Sequence, residues 1–188
     1  MSQTTLLLDS NAYFRLAHQI HPLLKICFGQ NNYCLGILED LDTEFNRSQR
    51  LQTKFYWVSQ KQYSENRKNC FKISSAQHKA IHLIFGFINE LEKDSKLGVS
   101  RVDIKALAYG SALNIPVVTD DAGMLKLTAE FEVVHMTTLM LLKVMYDENH
   151  INREKVFEVV SFWVFNFDIP KNFKKDYQSL FPGFPAAS

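Results

Sequence analysis

Breakers are scarce in this 188-residue chain, which has only seven glycines and five prolines. No low-complexity linker or repeat interrupts it, so no domain boundary is marked. Cysteine is scarcer still. Cys27, Cys34 and Cys70 are odd in number and lack the close pairing of a zinc ribbon or a redox motif. Three unpaired thiols fit a reducing cytoplasm, where they act as small buried hydrophobes. There is no Arg/Lys-led apolar leader and no run of about eighteen apolar residues, so no membrane association is expected. The most apolar stretch, Val156 to Phe167, is interrupted by Glu158, Ser161 and Asn166 and reads as a buried helix. Strong charge of either sign is also missing, since 21 Lys+Arg against 20 Asp+Glu leave a net +1. That excludes a simple polycation, and a hydrophobic fraction of 46% excludes a disordered chain. The length suits one compact domain.

The regular pattern comes from short apolar runs separated by helical spacing. Thr5-Leu6-Leu7-Leu8 is continuously apolar after its threonine and ends at Asp9, as a strand buried on both faces does. Pro116-Val117-Val118-Thr119 ends at Asp120-Asp121, and Phe131 to Met136 is a further strand candidate. Ser100 and Asp103 have capping-box spacing. Val102, Ala106, Tyr109 and Leu113 then recur at helical steps until Asn114 and Pro116. Leu139 to Tyr146 reads as a helix. Another is capped by Asn152, carries Val156, Val159, Val160, Trp163, Val164 and Phe167 as its stripe, and ends before Pro170. Strands alternating with helices imply an α/β layer structure around a mainly parallel sheet.

In such a sheet, functional groups gather beyond the carboxyl ends of the strands. An aspartate after one strand is usually a turn or cap residue. Two strands ending in acids, Asp9 and Asp120-Asp121, with Asp103 in the first turn of the helix feeding the second, are more informative. The segments Leu6-Leu7-Leu8-Asp9-Ser10-Asn11, Ser100 to Ala108, and Asn114-Ile115-Pro116-Val117-Val118-Thr119-Asp120-Asp121 resemble the PIN-domain nucleases, most closely the bacterial toxin-type members. The resemblance covers residues 4 to 136. The apolar strand followed by Thr-x-Asp is its most specific part.

This resemblance implies a PIN-like three-layer α/β/α fold with a central mainly parallel sheet over residues 1–136. Residues 137–188 are C-terminal helices and a tail packed on that core. It further implies a metal site of Asp9, Glu44, Asp103 and Asp121, with Asn11, Thr119 and Asp120 in support. Glu44 fits the family's helical acid through Leu41-Asp42-Thr43-Glu44-Phe45, with Glu39 as its competitor. The implied activity is Mg²⁺- or Mn²⁺-dependent endoribonuclease cleavage in the cytoplasm. An antitoxin or regulatory protein, or a second copy of the chain, is the implied partner. A non-catalytic PIN-like module that binds RNA or protein is the alternative, and a small-molecule phosphatase is a third reading.

Independently of the resemblance, converging carboxylates repel and raise one another's pKa unless a cation intervenes, and oxygen ligands suit Mg²⁺ or Mn²⁺. Asn11 stands where a dehalogenase-type phosphatase needs a second aspartate, and no Gly-rich phosphate loop precedes a Lys-Ser/Thr pair. Metal-activated water is therefore favoured over a covalent aspartyl-phosphate.

The near-zero net charge hides an uneven distribution. Residues 46–79 carry +7 and the remainder −6. Arg47, Arg50, Lys54, Arg67 and Lys68 are the candidate RNA contacts, interleaved with Phe55, Tyr56, Trp57, Tyr63 and Phe71 as candidate stacking surfaces. The competing reading is a solubilising helix surface over core aromatics. The pairs His18/His21 and His78/His82 lack the partners of a zinc site, and His135 reads as a core residue. The tail from Phe181 to Pro185 is expected to lie over apolar surface.

Overall fold

The computed structural model describes residues 3–186. Strand β1 (Thr4–Leu8) lies at the centre of a five-stranded sheet. It pairs in parallel with β3 (Tyr33–Ile37) on one side and with β4 (Val117–Val118) on the other. Beyond β4 lies β5 (His135–Met136), also parallel, and β2 (Cys27–Phe28) closes the opposite edge as the one antiparallel neighbour. The order β2-β3-β1-β4-β5 places consecutive parallel strands on opposite sides of β1. This is the reversal at which open α/β sheets form a crevice at their carboxyl edge.

Burial on both faces explains the continuous apolar run of β1. Leu6 and Leu8 join one core with Leu35, Ile37 and Val118, whereas Leu7 joins a second with Leu38 and Val117. The first core is covered by α1 (Ser10–Leu16), α2 (Asp40–Arg47), α8 (Thr138–Asp147), α9 (Arg153–Phe165) and α10 (Phe173–Leu180). Between α2 and the next long helix lie α3 (Gln49–Lys54), a 3₁₀ turn (Tyr56–Ser59) and α4 (Lys61–Arg67). The second core is covered by α5 (Ser75–Ser95), α6 (Arg101–Leu113) and α7 (Ala122–Glu130). The result is helices on both faces of a mostly parallel sheet. The C-terminal helices share the first core with β1 and α1, and Phe181 is buried with them.

The helix ends follow the sequence signals. Ser100 accepts from the Asp103 N–H at the start of α6, and Asn114 ends that helix at φ 51°. Asn152 caps α9 through the Lys155 N–H, and α8 runs through the expected Leu139–Tyr146. Four expectations need correction. The strand expected over Phe131–Met136 is confined to His135–Met136, because α7 extends to Glu130 and Phe131 caps it. His135 is exposed, not in the core. Cys27 is exposed on the edge strand opposite buried Cys34, so it is not a buried hydrophobe. Phe167 leaves the apolar stripe of α9, since the helix ends at Phe165. Strands β2 and β3 carry no counterpart in the sequence reading. Tyr33-Cys34-Leu35-Gly36-Ile37 is a short run with a central glycine, and its strand character comes from pairing along the whole of β1. Glycine makes room there for Phe71, because a Cβ on Gly36 would lie 2.8 Å from the tip of the Phe71 ring and force it to shift.

Candidate functional site

Asp9 follows β1 directly and caps α1, with Oδ1 accepting from the Ala12 N–H at 2.6 Å. It is 2% exposed, and its Oδ2 has no hydrogen-bond partner. An unpartnered buried carboxylate oxygen is costly if ionised. Burial accordingly pushes the Asp9 pKa up to about 7, helped by the nearby charges of Asp103 and Asp120. The Thr119 hydroxyl and the Ala12 N–H pull it partly back.

Asp103 lies on the first turn of α6 and borders the same small cavity as Asp9 and Ser10. Its Oδ2 accepts from the Ser100 hydroxyl at 2.8 Å. Burial raises its pKa to about 6. The Ser100 hydroxyl opposes this, while the charges of Glu44 and Asp121 add to it. Glu44, on α2, is drawn to this edge by the Ser10 hydroxyl, which donates to Oε2 at 2.9 Å. Asp121 caps α7 through Oδ1, which accepts from the Met124 N–H at 2.8 Å. Its own N–H donates to the Thr119 hydroxyl oxygen at 3.1 Å. Asp9 and Asp103 thus share one cavity at the carboxyl edge, where the charge of Asp103 reaches Asp9 and those of Glu44 and Asp121 reach Asp103.

Each acid uses one oxygen for positioning, and the donor set is made of hard oxygens suited to Mg²⁺ or Mn²⁺. Among the described residues, however, no three His, Cys, Asp or Glu side chains form a ready-made metal-binding group. The chemistry of the donors fits a divalent ion, whereas a closed ligand shell is not present.

The competing and supporting residues fall into distinct places. Glu39 is exposed and accepts from the Asn69 N–H at 3.1 Å, on a cleft with Cys70 and Phe71 that excludes Asp9. Asp120 is a brace. Its carboxylate takes Arg15 Nη1 at 2.6 Å and the Thr138 N–H at 3.2 Å, and it also accepts from the Thr138 hydroxyl. Thr119 is fully buried, with its hydroxyl oxygen 3.3 Å from Met124 Sδ. Asn11 is exposed on the first turn of α1.

The basic segment needs two corrections. Arg67 is not an RNA contact. It is 3% exposed, and its guanidinium is used on Asp42, the Tyr13 hydroxyl (3.2 Å) and the Val58 carbonyl (3.0 Å). Phe55, Trp57 and Tyr63 are core residues, and only Tyr56 among the interleaved aromatics presents most of its surface, at 66%. Arg47 and Arg50 are exposed. Lys54 lies 3.5 Å from Asp168, and Lys68 pairs with Glu65 at 2.8 Å.

A groove that the sequence did not announce runs beside the acids. It is lined by Arg47, Arg101 and Lys105 with Asp40, Thr43, Phe85 and Val102. Val102 also borders the Asp9–Asp103 cavity, so the basic groove and the acidic cavity adjoin. Arg101 and Lys105 come from the same helix as Asp103. Their four-residue spacing on α6 was the available signal. The chain was compared with protein-family models, with curated proteins and with solved structures, and none matched. What the fold defines is a mostly parallel α/β protein with an acidic carboxyl edge. The functional argument rests on that edge.

Proposed function

We propose that this chain is a PIN-like metal-dependent ribonuclease of the toxin type, hydrolysing RNA phosphodiesters at the edge formed by Asp9, Glu44, Asp103 and Asp121. One observation carries the proposal. Asp9 stands at the topological reversal of the sheet, buried, with one carboxylate oxygen unpartnered and a second raised-pKa acid, Asp103, on the same cavity. Stability alone does not favour such a pair, and raised pKa values with a stated cause are a mark of functional sites.

In this reading Asp9 and Asp103 hold a Mg²⁺ or Mn²⁺ ion, with Glu44 and Asp121 joining directly or through water. The ion, when bound, supplies a water of lowered pKa and offsets charge developing on the phosphate. Ser10 and Ser100 orient the Glu44 and Asp103 carboxylates, and Thr119 fixes the backbone of Asp121. Arg47 and Arg101 meet the phosphates that flank the scissile one along the adjoining groove. A second reading, a PIN-like RNA-binding module without turnover, is favoured by the absence among the described residues of a ready-made metal-binding group.

The test is cleavage of single-stranded RNA in Mg²⁺ or Mn²⁺ by the wild type, Asp9→Asn and Asp103→Asn. The nuclease reading predicts turnover by the wild type and a loss of about 100-fold or more in each variant, the scale of removing one group that acts in the transition state. RNA binding without turnover under either ion favours the second reading. Equal cleavage by all three proteins overturns the site.

A further inference from the structure

The most exposed aromatic rings of this protein lie at the end of α9. Phe165 is 81% and Phe167 93% exposed. The helix ends in a Schellman turn, with the Asp168 N–H donating to the Trp163 carbonyl at 2.9 Å and the Phe167 N–H donating to that of Val164 at 3.1 Å. Phe167 occupies the left-handed position of that turn at φ 52°. Glycine is the usual residue there, because a Cβ crowds the following carbonyl. A phenylalanine at this point costs stability through its backbone and gains nothing from burial.

The next residue ties this turn to the acidic edge. The Asp168 carbonyl accepts from Arg15 Nε at 3.1 Å, and its carboxylate lies 3.4 Å from Arg15 Nη2 and 3.5 Å from Lys54 Nζ. Arg15 in turn holds Asp120, the neighbour of Asp121. The turn that carries the rings is therefore tied through Arg15 to Asp120, beside Asp121. Exposed Lys171, Lys174 and Lys175 follow within eight residues of Phe167.

We propose that Phe165 and Phe167 form a base-stacking platform for single-stranded RNA, with the lysines engaging its backbone. The platform rests on the nuclease reading and deepens it by naming a binding site for the unpaired strand outside the acidic edge. Aromatic faces accept any base, and phosphates seek the flanking cations. Anionic lipid would also meet aromatics and lysines, but the tie of this turn through Arg15 to Asp120, beside the edge proposed to cleave RNA, favours a strand of RNA.

The test is the affinity of the full chain for a fluorescent oligouridylate of about twelve nucleotides in EDTA, for the wild type, Phe165→Ala and Phe167→Gly. The expected result is a loss of about ten-fold in each variant, with a melting temperature for Phe167→Gly at or above that of the wild type. Unchanged affinity in both variants overturns the platform. So does ring-dependent binding to phosphatidylserine vesicles in place of RNA. Ring-dependent RNA affinity in a wild type that cleaves nothing in Mn²⁺ keeps the platform and removes the nuclease reading. Cleavage with ring-independent affinity does the reverse.

Discussion

The acidic carboxyl edge and the basic segment 46–79 use their charges in opposite ways. At the edge, Asp9, Glu44, Asp103 and Asp121 each accept a hydrogen bond through one oxygen, and burial raises Asp9 to about 7 and Asp103 to about 6, above the usual carboxylate range. In the basic segment, Arg67 is spent on packing, Lys68 on Glu65 and Lys54 on Asp168, while Arg47, Arg50, Lys61, Lys72 and Lys79 face water. Stability is sacrificed in the first region and served in the second. A group that costs stability where it stands is the better guide to function.

The contrast is broken or sharpened first at Asp9. Its folded pKa of about 7 lies above the ordinary 3.8, so the folded state binds a proton that the unfolded state has lost between those values. This contribution to stability is fully present below about pH 4. It declines as pH rises and is gone above about pH 7, on the order of 4 kcal/mol at about 1.4 kcal/mol per unit. Asparagine keeps the cap on α1 and carries no charge. Metal-free Asp9→Asn is therefore expected to be more stable than the wild type at pH 8 in urea denaturation, with the difference closing near pH 4. A constant difference across that range would place the Asp9 proton elsewhere.

Arg67→Met should act in the opposite direction at every pH. It strands the Tyr13 hydroxyl and the Val58 carbonyl, for a loss of about 2–4 kcal/mol by denaturant titration. Within the acidic edge, Asp120→Ala should cost about 2–3 kcal/mol, because half-buried Arg15 loses the closer of its two carboxylate partners and Thr138 loses its acceptor. Asp121→Asn should keep the cap on α7 and lose turnover instead. If Asp121→Asn cleaves RNA like the wild type while Asp120→Asn does not, the roles of the two neighbours are exchanged. Smallest of all, Arg47→Ala should leave the melting temperature in place and lower the salt dependence of RNA affinity by about one unit of slope.

Much of the frame was legible in the chain. Leu6-Leu7-Leu8-Asp9 and Val117-Val118-Thr119 announced strands buried on both faces, and backbone geometry puts the residue after such a strand at the sheet's edge. The placement of Asp9 and Asp121 followed from local pattern, and the Ser100–Asp103 spacing located the third acid. Glu44 needed tertiary information, since Glu39, Asp40 and Asp42 share its helix or its approach and only the Ser10 hydroxyl distinguishes it. Strand β3 was hidden because Gly36 serves contact with Phe71 and not strand propensity. The basic segment misled because a run of charges carries no record of which side chains turn inward. Arg67 sits among aromatics it was expected to accompany at the surface, and Trp57 and Tyr63 pack around Tyr13 in the core. The αL position of Phe167 was invisible for a related reason. The α9 stripe continues through it in sequence, while the chain leaves the helix two residues earlier.

The central claim is that the unpartnered Asp9 oxygen is kept for a cation. Thermal unfolding of the wild type and of Asp9→Asn at pH 7.5, with and without millimolar Mn²⁺, tests it most directly. A ligand bound only by the folded state raises the melting temperature in proportion to its occupancy. The account predicts a clear Mn²⁺-dependent rise for the wild type that disappears in Asp9→Asn. An equal rise in both proteins, or none in the wild type, would contradict it.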